Sequence, residues 1–478
     1  MITKSSLERM LHPKSIAVVG ARRDSTNSEA WMDLFARIVQ FGYKGRLYPI
    51  NPNADVILGY KAYPSITSLP TSVDLMIITL SAPRVPSALS ECAKTGNRNV
   101  QIFSAGFKET GEEEGLKLQR EIEEIAKKGE LSVIGPNCMG LYIPKAGLSC
   151  WRGVSEKSGS VAFLSQSGGF AEDFSSYAVQ LNICFSKVIS YGNALTIDGT
   201  DLLTYLSEDD DTRLITMYLE GVRDSRRLLE MASKINITKP VIIVKAGQSD
   251  SGINAISSHT GSLAGAAHFW DAFFRQTGAV RAYSVEDLAH VTLMFQNSKP
   301  PNGNRLAILG AGGAFSVIAA DACNKEGLEI PAITSDTQKK LRSIIPAAGN
   351  IIRNPIDANL VMHSPSRMQS VLEVLGKENY IDMLLLNLHV DWMYDYGPEG
   401  LIETMGGFLS NDARRYMNDK PFAVALRSYR ADQEFKHACD SLEKVLRSAG
   451  VPVFRNIEQP ISCLARLSQY HSFIRKAR

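Results

Sequence analysis

The sequence predicts an α/β protein built on parallel sheets, and three observations carry that prediction. Short runs rich in Val and Ile alternate with helix-length stretches from Ser15 onward, the pattern of strands joined by crossover helices. The strand runs, such as Ser15–Gly20 and Leu75–Leu80, are apolar on both faces, as expected of strands covered by helices on each side. Two of them lead directly into a small-residue turn and then a helix, at Ser165-Gln166-Ser167-Gly168-Gly169 and at Gly310-Ala311-Gly312-Gly313.

Taken in order, strands are expected over Ser15–Gly20, Gly45–Ile50, Leu75–Leu80, Val100–Ser104 and Ser132–Ile134, forming one nucleotide-fold-like unit whose last loop is Gly135-Pro136-Asn137-Cys138. A Gly- and Ser-rich passage around Gly153–Ser160 precedes a new strand at Gly159–Leu164, which sets a boundary near residue 150. The second unit continues through Ser186–Ser190, Arg213–Leu219 and Pro240–Lys245 to an amphipathic helix over Val285–Met294. Ser298–Asn304, with Pro300-Pro301 and Gly303, has the composition of a linker. A third unit starts at Arg305, with strands at Leu306–Leu309, Met383–Leu388, Pro421–Leu426 and Pro452–Phe454. Three units suit a chain of 478 residues, since domains hold roughly 100 to 200 residues each.

Composition narrows the functional classes. With 44% hydrophobic and 21% charged residues the chain is globular rather than disordered. Its net charge of +2 supplies no strong field for nucleic acid or an anionic membrane, so any anion site must be local. No apolar run approaches the roughly 20 residues of a membrane span, and the N-terminal stretch lacks the apolar segment of a secretory signal. A cytoplasmic protein is expected. The seven cysteines are scattered, without paired spacing for zinc or for a disulfide scaffold; buried thiols and no metal site are expected.

Three segments could carry chemistry. Val18-Val19-Gly20-Ala21 ends a strand where a phosphate-binding turn would sit. The stretch Ala21–Trp31 lacks the further glycines of the dinucleotide fingerprint, and Ile50-Asn51-Pro52 stands where an acidic ribose ligand would be, which argues against NAD; Arg22 and Arg23 either pair with phosphates or are solvated. Ser165–Gly169 brings main-chain N–H groups and a positive helix end to one point, suiting a phosphoryl group or simply a capped turn. Gly312 and Gly313 repeat that arrangement, so two helix ends could hold one phosphoryl group from opposite sides. The third segment, Ser257–Gly265, sets His259 among small and hydroxyl residues. That histidine is either structural or a nucleophile toward phosphorus, in which case a carboxylate would fix its tautomer; Glu220, closing the strand Met217-Tyr218-Leu219, is a candidate.

These pieces together resemble the alpha-type subunit of ADP-forming acyl-CoA synthetases, in the succinyl-CoA synthetase superfamily. The likeness covers nearly the whole chain, through SIAVVGA, YPINP, SAGFKETGEEEG and VIGPNCMG, then FLSQSGGF, YGNALTIDGTDLL, YLEGVRD, SSHTGSLAG and FRQTGAVRAYSVEDL, and finally GAGGAFSVIAADAC and NPID. It implies a Rossmann-like CoA-binding domain (1–150) followed by two flavodoxin-like domains (151–298 and 303–478). It also implies thioester formation from a carboxylic acid, CoA and ATP by way of an acyl phosphate. His259 matches the histidine that carries the phosphoryl group, and Glu220 matches the carboxylate that orients it. Ser165, Gln166, Ser167, Gly168, Gly169, Gly192, Asn193, Gly312 and Gly313 are the implied phosphate-binding residues. The implied CoA contacts are Gly20, Ala21, Arg22, Asn51, Pro52, Ser104, Asn137 and Cys138. ATP or ADP and Mg²⁺ would be handled by a separate ATP-grasp beta-type subunit, since residues 305–478 leave no room for that module, giving a hetero-oligomer. Two features depart from the family pattern, the glycine-poor loop after Ala21 and His268 in place of a small polar residue.

Three other readings are compatible with parts of the sequence. A dinucleotide oxidoreductase would need the missing glycines and acidic residue. A CoA-binding regulatory protein would have no use for His259 and Glu220. A lyase or transferase of the same superfamily would use the acyl-CoA stage for another reaction.

Overall fold

The computed structural model describes residues 3–23, 33–247, 249, 251–252, 267–310 and 312–477. The chain divides into two compact units, Met1–Ala289 and His290–Arg478.

The first unit begins with helix α1 (Lys4–Leu11), capped by the Thr3 side chain, and strand β1 (Ser15–Val19), buried along its whole length. Helix α2 (Leu34–Phe41) starts at Asp33, whose carboxylate accepts from the Ala36 N–H, and stops at Gly42 in the left-handed region. Strand β2 (Arg46–Ile50) follows, then a small hairpin of β3 (Val56–Ile57) and β4 (Tyr60–Lys61), then β5 (Leu75–Ile78). Helix α3 (Val85–Lys94), β6 (Asn99–Ile102), helix α4 (Glu113–Lys128) and β7 (Ser132–Ile134) complete the first sheet. Its order is β2-β1-β5-β6-β7, all parallel. Met76, Ile78, Val100 and Val133 pack on one face against Leu89, Cys92 and Ile122 from the helices. Because the chain leaves β1 toward β2 and returns to β5, the direction of winding reverses between β1 and β5, which opens a crevice at their carboxyl ends.

The next sheet has seven strands. They are β8 (Gly140–Ile143), β9 (Leu148–Ser149), β10 (Val161–Ser165), β11 (Phe185–Ser190), β12 (Leu214–Leu219), β13 (Val241–Lys245) and β14 (Val280–Ala282), in the order β14-β13-β12-β10-β11-β8-β9. Helix α5 (Gly168–Gln180) follows β10, α6 (Gly199–Ser207) follows β11 and α7 (Ser225–Ile235) follows β12. Strand β8 runs antiparallel to β11 and β9 antiparallel to β8. Residues 140–149 thus pair in this sheet, whereas the sequence groups them with the first segment. The composition shift near 150 marks a surface loop, and strand pairing is decided by which edge is free to accept hydrogen bonds.

The second unit carries a four-stranded parallel sheet of β15 (Leu306–Leu309), β16 (Met383–His389), β17 (Phe422–Arg427) and β18 (Val453–Phe454), in that order. On the outer side of β15, Glu329 bridges to Arg305 and Ile356 to Leu309. Winding therefore reverses here too, between β15 and β16. Asp382 closes the amino end of this sheet with a two-pronged ion pair to Arg305, at 2.8 Å from both Nε and Nη2. Leu384, Leu386, Val424 and Leu426 are fully buried against Val371, Leu372, Leu442 and Leu446. Truncating any one of these leucines to Ala is expected to cost about 2–5 kcal/mol.

Candidate active site

The crevice at the β1/β5 reversal is a cleft of about 710 Å³, within the range of cofactor-sized pockets. Gly20 and the Ile50-Asn51-Pro52-Asn53 turn form one wall; Thr79, Leu80 and the first turns of α3, with Arg84, Ser87 and Glu91, form the other. Gly20 has φ +91°, and a Cβ there would lie 2.8 Å from Thr79 Oγ1, so the two strand ends can approach only because the side chain is missing. Asn51 donates from Nδ2 to the Ala21 carbonyl at 2.8 Å and accepts from the Asn53 N–H, which fixes the turn. Gly20, Asn51 and Pro52, three of the CoA contacts expected from the sequence, line this cleft together. Ala21 is buried and Arg22 half-buried beside them. Most of the glycine-poor loop after them lies outside the described residues.

Ser104, Asn137 and Cys138 are not in that cleft wall. The Ser104 hydroxyl donates to the Leu80 carbonyl, and the Asn137 N–H donates to the Ser104 carbonyl at 2.8 Å, so the three follow the neighbouring strand ends. Cys138 is buried, its thiol 3.4 Å from the Ile102 carbonyl oxygen. Burial pushes that thiol far above its ordinary pKa, which makes it a packing residue rather than a nucleophile.

The Gly135–Cys138 loop leans directly on residues 192–195. The Asn193 N–H donates to the Pro136 carbonyl at 2.9 Å and the Leu195 N–H to the Gly135 carbonyl at 2.8 Å. Gly192 has φ +52°, and a Cβ on it would stand 2.2 Å from the Asn137 carbonyl oxygen. The Asn193 carboxamide donates to Glu109. Asn193 thus serves to lock two loops together.

Glu220 closes β12 and is 5% exposed. Its Oε1 accepts from the Tyr218 hydroxyl at 3.3 Å, whereas Oε2 is buried and has no hydrogen-bond partner among the described residues. The neighbouring turn after β10 is tied to it by Gln166, whose Oε1 accepts from the N–H groups of both Glu220 and Gly221. Ser165 donates to the Ser167 carbonyl at 2.7 Å, and Ser167 caps α5 by accepting from the Phe170 N–H. Gly168 sits against Met139 while Gly169 faces open space. An orphaned carboxylate oxygen and the positive end of a 13-residue helix thus share one region, which suits a group that is cationic toward the glutamate and anionic toward the helix. Lys245, also buried, donates to the main-chain carbonyl of Glu220 at 2.9 Å, and burial lowers its pKa to about 8, with Glu220 opposing the shift. His259, the expected nucleophile, lies outside the described residues. Gly312 and Gly313 belong to the second unit, where Gly312 precedes the helix Gly313–Glu326 without any side-chain cap.

Residues 14–144 match the CoA binding domain model, and residues 158–295 match the model of the succinyl-CoA ligase like flavodoxin domain. The chain is 37% identical over 90% of its length to the acetate–CoA ligase [ADP-forming] II subunit alpha of Pyrococcus furiosus, and spans 98% of that relative. The chain belongs to the family of ADP-forming acyl-CoA synthetase alpha subunits. It is also 33% identical to the acetate–CoA ligase [ADP-forming] I of Archaeoglobus fulgidus over 99% of its own length, but spans only 65% of that longer relative. Among solved structures it is similar to acetyl-coenzyme A synthetase 1 of Candidatus Korarchaeum cryptofilum, solved with phosphate and ADP, at 28% identity and a TM-score of 0.85, with 98% of each chain covered.

Sequence reasoning missed several residues of this family member's cleft. Ser65, Thr79, Arg84, Ser87 and Glu91 line it, yet they sit on separate segments without a motif. The readable signal was Ser81-Ala82-Pro83-Arg84, a proline-bearing turn that opens α3 just after a strand. Lys245 and Tyr218, which frame Glu220, were likewise hidden inside strands that read simply as core.

Proposed function

We propose that this chain is the CoA-binding, histidine-phosphorylated subunit of an ADP-forming acyl-CoA synthetase, which converts a carboxylic acid, CoA and ATP into acyl-CoA, ADP and phosphate. On this reading residues 1–150 bind CoA, 151–298 carry the phosphoryl group and 303–478 form the second flavodoxin-like domain. A separate ATP-grasp subunit supplies ATP and Mg²⁺ in a hetero-oligomer, consistent with the alpha-subunit names of the Pyrococcus furiosus relatives. The protein acts in the cytoplasm; among the described residues no helix is long and apolar enough to cross a membrane.

The observation that carries the reading is the buried Oε2 of Glu220, which has no hydrogen-bond partner among the described residues, beside the start of α5. In the proposed cycle, a ring nitrogen of His259 attacks the terminal phosphorus of ATP and ADP leaves. Glu220 balances the imidazolium character of the phosphorylated ring through the other ring nitrogen. The Gly168 and Gly169 N–H groups face the phosphoryl oxygens, a type of contact that contributes about 3–4 kcal/mol per donor to transition-state stabilisation elsewhere. A carboxylate oxygen of the acid then attacks that phosphorus, giving an acyl phosphate and restoring neutral His259. The CoA thiolate attacks the acyl carbon and phosphate departs.

The test is to incubate the purified chain with its ATP-grasp partner, Mg²⁺ and terminally labelled ATP. Acid-labile, base-stable label that vanishes in His259→Ala is expected. Label that survives that substitution, or none at all with an active partner, would overturn the mechanism.

A further inference from the structure

The proposed cycle gives no task to a cation buried beside its carboxylate. Lys245 ends β13 and is only 3% exposed, and a lysine is rarely taken so far from water unless it is paired. Its ladder partner is Leu219, the residue before Glu220, which brings the ammonium to the turn that closes β12. Nζ donates to the main-chain carbonyls of Glu220, at 2.9 Å, and of Ala246. It also lies 5.1 Å over the ring of Trp270, a buried residue of the helix Ala267–Thr277. Three segments therefore meet at one ammonium: the turn that bears Glu220, the point where the chain leaves the sheet toward His259, and the helix that follows His259 in sequence. Carbonyl acceptors and an aromatic face are partners that suit a desolvated ammonium.

The opposite charge comes from Glu220. Burial lowers the Lys245 pKa to about 8, and the carboxylate opposes that fall. Lys245 from β13, the Tyr218 phenol of β12 and the Tyr191 phenol after β11 all face Glu220. Burial holds both phenols protonated, so Lys245 is the cation of this group. The attraction is mutual, and a charged Lys245 favours the ionised carboxylate.

We propose that Lys245 is a positioning residue for phosphoryl transfer, fixing the main chain of Glu220 and keeping its carboxylate ionised to face the His259 ring. This deepens the phosphohistidine reading and rests on it. An uncharged side chain at 245 would take a donor from both carbonyls and leave a buried carboxylate without its cation. Such a carboxylate takes up a proton more readily as pH falls. Above about pH 8 the native lysine loses its own charge, so replacing it there removes less. The effect of the substitution is therefore largest on the acid side.

The experiment measures single-turnover labelling by terminally labelled ATP, with the ATP-grasp partner and Mg²⁺, from about pH 6 to about pH 9, a range that spans the lysine value. Lys245→Met should label roughly 10- to 100-fold more slowly at the acid end, the scale of a lost hydrogen bond to a charged group, and the gap should narrow above about pH 8. Lys245→Arg, which stays charged throughout, should keep the native acid side. Adding Lys245→Met to Glu220→Gln should slow labelling by roughly twofold or less, because the lysine acts through that carboxylate. CoA binding measured by calorimetry should hold, since the cleft at the β1/β5 reversal shares no residue with this group. Lys245→Gln takes the place of the Met variant if that one does not fold, with the same profile expected. Labelling at the native rate, slowing that is equal at every pH, or full additivity with Glu220→Gln overturns the inference. A native chain that takes up no label with an active partner overturns the phosphohistidine reading instead.

Discussion

Replacing Glu220 by Gln is a substitution whose outcome can be worked out from its surroundings. The carboxylate is 5% exposed, so solvent screens it little. The isosteric amide can keep the 3.3 Å contact with the Tyr218 hydroxyl. Lys245 keeps its hydrogen bond to the main-chain carbonyl of Glu220, but loses the neighbouring charge that opposes the lowering of its pKa. What is lost is the charge at Oε2. A hydrogen bond to a charged group contributes about 1.5–3 kcal/mol, which at about 1.36 kcal/mol per decade slows phosphoryl transfer to His259 by roughly 10- to 150-fold. Any change in stability should be small, because among the described residues Oε2 has no hydrogen-bond partner to lose, while the buried Lys245 ammonium loses part of its counter-charge. The assay is single-turnover labelling by ATP in the presence of the ATP-grasp partner, alongside a thermal melt. Label forming at the native rate in a folded Glu220→Gln protein would refute the role assigned to this carboxylate.

Three further outcomes are expected. Gly192→Ala forces a Cβ into contact distance with the main-chain oxygens of Asn137 and Pro136 at a positive φ; it should destabilise the chain by about 1–3 kcal/mol and weaken CoA binding measured by calorimetry, through displacement of the Gly135–Cys138 loop. Ser87→Trp fills the first cleft and should abolish CoA binding while leaving ATP-dependent labelling intact. His389, facing Arg427 and Asp391, has a folded pKa of about 4 against an ordinary 6.5, so between those values the unfolded chain takes up a proton that the folded chain does not. Stability should therefore decline as pH falls from 6.5 toward 4, by at most about 3 kcal/mol for this group and less to the extent that water screens the part-buried ring. His389→Gln should flatten that slope in melts recorded across the same pH range.

The sequence by itself determined the strands and the family. Runs such as Ser15–Gly20 and Pro421–Leu426 are so largely apolar that burial on both faces leaves them little alternative to a covered parallel sheet. The turn Ser165–Gly169 announced its own cap, since Ser167 and the glycines act on backbone within a few residues of themselves. Glu220 was legible because it ends a strand beside that turn.

Tertiary structure alone decided the rest. Residues 140–149 joined the seven-stranded sheet because the edge of β11 was free to pair, a fact no local pattern encodes. Cys138, read as a CoA contact, is closed off beneath Ile102, and Asn193 is spent on fastening loops. The cleft residues Ser65, Thr79 and Ser87, and the pairing of His389 with Arg427, come from segments far apart in sequence. Their chemistry exists only where strand ends meet at a winding reversal, because periodicity records which face of an element is buried but not which other element lies beside it.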